Sequence, residues 1–140
     1  KFLFSANKGI ELKDLSNVAS GGELSRIMLA IKSMISQKNL LPTIIFDEID
    51  NGVSGEVAGK VGAILKRMGG YMQVIAITHL PQIAAKGDRH YWVYKSENHQ
   101  TTTTFIKQLS PEERIEEIAK MLSSETVTDS AIQAANELLK

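Results

Sequence analysis

The stretch Thr43-Ile44-Ile45-Phe46-Asp47-Glu48-Ile49-Asp50-Asn51-Gly52 decides how the chain is read. A short unbroken apolar run that ends in two acids is the pattern of a strand buried on both faces of a sheet. Downstream, Val57, Val61, Ile64, Leu65 and Met68 recur at three- and four-residue spacing, which predicts a helix stopped at Gly69-Gly70. Residues 72–77 form a second apolar run, ending at Thr78-His79. Strand, helix and strand at this separation imply a right-handed crossover and a parallel pair. Upstream, Leu24, Ile27, Met28, Ile31, Met34 and Ile35 align on one face of a helix that residues 39–42 end.

The flanks carry further elements. Residues 2–6 read as a strand running out through Asn7-Lys8-Gly9, followed by a polar stretch over 11–17. Leu80-Pro81-Gln82 opens a short helical segment, and residues 90–95 and 101–108 form a strand pair joined by a polar loop. Ser110 can cap the next helix, with Pro111 in its first turn and Glu113 completing a capping box. Its apolar side is Ile115, Ile118, Ala119 and Leu122; a last helix from Thr128 aligns Ile132, Ala135, Leu138 and Leu139. The fold class is α/β, expected as one domain.

Composition narrows the function classes. The chain has 140 residues, enough to bury a core, with 43% hydrophobic and 23% charged residues, ordinary for a globular protein. Lys+Arg and Asp+Glu are equal at 16 each, so no global basic excess announces a nucleic-acid binder. Arg26, Lys32, Lys60, Lys66 and Arg67 could line a basic surface, and solvated helix faces explain them as well. Without cysteine there is no disulfide, thiolate ligand or thiol nucleophile. No apolar run is long enough to span a membrane. The chain opens on Lys1 and runs directly into a strand pattern, so it is expected to be part of something larger.

The chemistry gathers in the loops. Ligands of open α/β sheets bind beyond the carboxyl ends of the strands, where Asp47 and Glu48 stand. Side chains alternate along a strand, so one acid could face a metal ion and the other a different target. Asp47 would hold Mg²⁺ through water and Glu48 would orient or deprotonate an attacking water. The competing reading is two acids leaving a strand into solvent. Ser20-Gly21-Gly22-Glu23 precedes the first long helix; its free N-terminal amides form an anion site, and an ordinary capping loop fits equally well. His79 follows the second strand and could donate a hydrogen bond to a phosphate, or be a satisfied loop residue. His90 and His99 have no comparable placement, and no metal-binding spacing is present.

In order and spacing these pieces resemble the C-terminal half of an ABC-type ATPase head. In that resemblance Ala19-Ser20-Gly21-Gly22-Glu23 is the signature motif, with Ala19 where Leu is usual; Thr43 to Glu48 is the Walker B strand, and His79 the switch histidine. Ile49-Asp50 follows the acids in place of the Pro-Thr of transporters, which resembles the SMC-like, DNA-acting branch. Within it, the chain is similar to the RecN-like family of bacterial DNA repair proteins. The likeness runs through Ala19 to Ala30, Phe46 to Gly55, Thr78 to Ala84, and the tail from Glu113 to Leu139. Ser54 stands where the D-loop of the wider superfamily carries Asp.

The resemblance implies a mostly parallel sheet flanked by helices, incomplete without an N-terminal half. No Gly-x-x-x-x-Gly-Lys-Ser/Thr occurs in the 140 residues, so the isolated segment is expected to be inactive. It implies ATP and Mg²⁺ as cofactors, with Asp47 on the metal and Glu48 and His79 catalytic toward nucleotide on the same head. Ser20, Gly21, Gly22 and Glu23 would meet the γ-phosphate on a second head. The implied partners are the N-terminal half, that second head, and DNA through the full-length protein, with no membrane. The implied setting is the bacterial cytoplasm, at the nucleoid, and the implied role recombinational double-strand-break repair. Two alternatives stay open, a transporter's nucleotide-binding subunit and a non-catalytic interaction fragment.

Overall fold

The computed structural model describes residues 3–5, 8–9, 11–14, 21–36, 42–98, 101–123 and 126–140. The chain is α/β and divides into two compact units, residues 1–54 with 67–78, and residues 55–66 with 79–140.

In the first unit, β1 (Leu3–Phe4) pairs antiparallel with β2 (Lys13–Asp14). β2 lies in the polar stretch where the sequence signals no strand. Two residues are too few to show an alternating pattern, so only backbone pairing identifies it. α1 (Gly21–Ser36) leads to β3 (Thr43–Phe46), which pairs in parallel with β4 (Gln73–Ala76), from Thr43 opposite Gln73 to Phe46 opposite Ala76. Backbone bonds extend the ladder at both ends: Gln73 N–H donates to the Pro42 carbonyl and Ile77 N–H to that of Phe46, each at 2.9 Å.

In this unit an apolar helix stripe is found exposed and one sequence expectation is corrected. The helix of α1 forms as predicted, but its buried side chains are Leu29 and Ser33, whereas Leu24, Met28, Met34 and Ile35 are exposed. Periodicity finds the helix; which of its faces lies inward is decided by what packs there. Likewise β3 and β4 are not buried on both faces. Phe46 is buried, with the Lys32 ammonium 5.3 Å from its ring centre. The register partners Ile45 and Ile75 point the other way and are 59% and 43% exposed.

α2 (Gly55–Gly69) contributes residues to both units. Val61, Leu65 and Met68 are buried as its periodicity predicts, Ile64 is half-buried and Val57 exposed, and Ala58, outside the predicted stripe, is buried as well. The helix ends at Gly69-Gly70 as expected; Gly70 stays right-handed at φ −71°, and its N–H closes a tight turn on the Arg67 carbonyl.

The second unit contains α3 (Pro81–Ala84), the antiparallel hairpin of β5 (Tyr91–Asn98) and β6 (Thr101–Gln108), α4 (Pro111–Leu122) and α5 (Asp129–Leu139). The Ser110–Glu113 capping box is formed in full, and the Thr128 hydroxyl caps α5. Ile118, Ala119, Ala135 and Ala85 form the buried cluster, with Ile115, Ile132, Leu138 and Leu139 around it. Along β5, Trp92 and Tyr94 share a face and stack at 4.4 Å, and Tyr94 stacks on its cross-strand partner Phe105 at 5.5 Å.

Two glycines in α2 respond differently to a methyl group. A Cβ on Gly59 meets nothing within 4 Å, whereas one on Gly62 would lie 2.9 Å from the Gln82 carbonyl oxygen. Gly59→Ala is therefore expected to stabilise the fold by about 0.5–1 kcal/mol through helix propensity. Gly62→Ala is expected to destabilise it by about 1–3 kcal/mol by overpacking. Urea unfolding of the two variants checks both signs.

The same unit carries a pH dependence. Burial, with the Arg114 cation beside it, holds His90 below its ordinary value of 6.5, Glu117 pulling the other way. The folded chain thus prefers neutral imidazole while the unfolded chain takes up a proton near 6.5, so this contribution is lost as pH falls through that value. The melting temperature should drop on acidification through this window, and His90→Gln should flatten that drop.

Candidate functional site

The first unit gathers most of the predicted site residues around the turn that leaves β3. Asp47 and Glu48 are both exposed there. The alternation argument does not reach them, because β3 ends at Phe46. What separates the acids is backbone conformation: Glu48 adopts φ 51°, the left-handed region that side chains with a Cβ rarely occupy. The chain then turns tightly, with Asn51 N–H donating to the Glu48 carbonyl at 3.2 Å and Val53 N–H to that of Asp50 at 3.0 Å.

Three side chains that sequence reasoning passed over hold this turn. Asn51 Nδ2 donates to Glu48 Oε2 at 3.0 Å. Asp50 is only 4% exposed, and Thr78 Oγ1 donates to its Oδ2 at 2.6 Å, tying the turn to the residue beyond β4. A buried carboxylate needs such partners to offset its lost hydration. Ile49 and Val53, on either side of it in the sequence, are buried as well. Gly52 and Gly55 mark this loop in the sequence, where Asn51-Gly52 is a strong turn dipeptide, and Gly52 is left-handed at φ 68°.

The glycines of the helix start meet this same turn. A Cβ on Gly22 would lie 3.1 Å from the Asn51 carbonyl oxygen and 3.3 Å from Gly52 Cα. Arg26, one turn along α1, reaches the Gly52 carbonyl through Nη1 at 3.5 Å. Gly21 opens the helix and Glu23 sits in its first turn, where a negative charge suits the helix dipole. Ser20, expected to cap it, lies outside the described residues, as does Ala19. His79 is exposed and is the residue after Thr78, where the second unit resumes. Gly22 and the acids are thus brought onto one turn of one unit, and His79 belongs to the other.

The donor set suits a hard cation shared with phosphates. Mg²⁺ needs only one or two protein carboxylates when phosphate and water complete its shell, and Asp47 is an exposed carboxylate at a strand's end. Among the described residues no cluster of three or more His, Asp or Glu could form an all-protein metal cage. No helix among them is long and apolar enough to cross a membrane.

A methyl group at position 22 tests the contact between helix and turn. Helix propensity alone would make Gly22→Ala stabilising by about 1 kcal/mol. Contact with the Asn51 carbonyl and Gly52 Cα leaves no room for that gain, so no stabilisation is expected in chemical denaturation; a full gain would show that the turn yields freely.

No family model matches the chain. In sequence it is similar to the C-terminal quarter of proteins named DNA repair protein RecN. The Bacillus subtilis protein is 49% identical over 140 residues, 100% of this chain and 24% of that protein. The Rickettsia felis protein is 47% identical over 99% of this chain and 25% of its own length, and that of Vibrio cholerae 44% over the same shares. The chain therefore spans about a quarter of the length of the curated relatives it matches. In structure it is similar to SMC heads. The Smc head domain with coiled coil and joint from Pyrococcus yayanosii superposes with a TM-score of 0.64 at 23% identity, over 81% of this chain and 21% of that one. A chain from work on ATP-driven dimerisation and DNA-stimulated activation of SMC ATPases gives 0.60 at 22%, over 84% and 70%. The fold is that of an SMC-type ATPase head.

Proposed function

We propose that residues 1–140 are the C-terminal part of the ATPase head of a RecN-like DNA repair protein, contributing to two nucleotide sites at once. The observation that carries this reading is the turn after β3: exposed Asp47 and Glu48 leave the strand's carboxyl end, and the turn closes on the glycine start of α1. In one site Asp47 holds Mg²⁺, which neutralises phosphate charge when bound. Glu48 accepts a proton from water as the water oxygen bonds to the γ-phosphorus of ATP and the bond to the ADP oxygen breaks. His79 donates a hydrogen bond to the γ-phosphate of the same nucleotide. The segment Ser20-Gly21-Gly22-Glu23 serves the other site, turning its helix-start amides to the γ-phosphate held by a second head.

Sharing nucleotide between heads makes ATP a reversible clamp, released on hydrolysis. The names and folds of the relatives support a DNA repair, SMC-like ATPase; within that reading the full-length protein acts on DNA in recombinational double-strand-break repair, in the bacterial cytoplasm at the nucleoid. The isolated segment, lacking a Walker A lysine in its sequence, would not turn over ATP. The apolar face formed by Ile45 and Ile75 and the exposed stripe of α1 suit cover by the N-terminal half of the same head.

Glu48→Gln in the full-length protein keeps the shape of the side chain and removes the base. ATP turnover should fall by about 10²–10⁴-fold, while ATP holds the heads together as a dimer visible by chromatography or crosslinking. Hydrolysis at the parent rate in this variant would remove Glu48 from the mechanism.

A further inference from the structure

We infer that Asn51 is the positioning residue of Glu48, an inference that rests on the proposed base role of that glutamate. Its side-chain amide donates to Oε2 of the carboxylate at 3.0 Å, and its backbone N–H donates to the Glu48 carbonyl at 3.2 Å. One residue thus grips both the side chain and the main chain of the other. Both residues are exposed, so the side-chain bond is not there to satisfy a buried group, and its value to folding is small. What it does is select an orientation. A glutamate has three rotatable side-chain bonds, and the backbone at position 48 is left-handed, so its carboxylate is not placed by the strand. Holding Oε2 leaves Oε1 as the oxygen that can take a proton from water.

The type of residue matters as much as the distance. An asparagine amide is a neutral donor, so it orients the carboxylate without an ion pair that would hold its charge in place. A lysine here would do the reverse. The anchor is itself fixed, because the Asn51 carbonyl lies against Gly22 and the Gly52 carbonyl is reached by Arg26. Asn51 does not touch the reacting atoms; it acts through Glu48.

The test uses the full-length protein and steady-state ATP hydrolysis. Asn51→Ala should lower kcat by about ten- to a hundredfold, the usual cost of misplacing a catalytic group, with KM for ATP unchanged. Asn51→Asp, which removes the donor and adds a like charge, should be at least as slow. Asn51→Gln, which restores a donor on a longer arm, should recover part of the rate. In a Glu48→Gln background Asn51→Ala should cost nothing further, because the group it positions is already gone.

Parent kcat in Asn51→Ala, alongside an inactive Glu48→Gln, overturns the positioning role and leaves the base role standing. Equal losses from Asn51→Ala in both backgrounds would mean general damage to the turn and also overturn it. An active Glu48→Gln overturns the base role first. The three failures are distinct.

Discussion

Two glycines back to back, Gly22 at the start of α1 and Gly52 in the turn after β3, set the distance on which the candidate site depends. Gly52 Cα lies 3.3 Å from where a Cβ on Gly22 would stand, and Gly52 also needs its left-handed φ of 68°. A Cβ at either position would crowd the other's backbone, so the turn would have to shift by a few tenths of an ångström to admit one. The close approach lets a helix start and a strand end share one turn. From it follow the Arg26 contact, the placement of Asn51 and the exposed presentation of Asp47 and Glu48. The parallel register of β3 and β4 supports the same turn from beneath, because it brings Thr78 to the buried carboxylate of Asp50.

Much of this was legible in the sequence, and the reasons differ by element. The Ser110–Glu113 capping box was readable because its signal is local: cap, proline and glutamate act on each other within one turn. The β3–α2–β4 order was readable from length and periodicity, and the pairing is parallel as that order requires. The inward face of α1 was not. Its apolar stripe of Leu24, Met28 and Ile35 is exposed, and Leu29 and Ser33 are the residues that bury. Periodicity records that a face is apolar and does not record which partner it meets. The apolar run of β3 misleads in the same way, since Ile45 is apolar and exposed.

The candidate site was legible as residue types and illegible as geometry. Asp47, Glu48 and Gly22 stand out in the sequence through their place at the ends of elements. The contacts among them run through Asn51, Asp50 and Arg26, whose residue types do not by themselves say what they touch. Alternation along a strand also proved the wrong rule for Glu48. The strand has already ended, and a dihedral angle, which no pattern of polarity encodes, determines where that carboxylate goes.

That dihedral angle has a consequence for how the chain tolerates change. Glycine, asparagine and aspartate adopt left-handed backbone more readily than glutamate does. The residue that folds most comfortably at position 48 is thus not the residue proposed to work there. Random substitution followed by selection for thermal stability alone would favour replacements here that relax the turn and silence the chemistry. Position 48 is where selection for robustness and selection for activity pull the same protein in opposite directions.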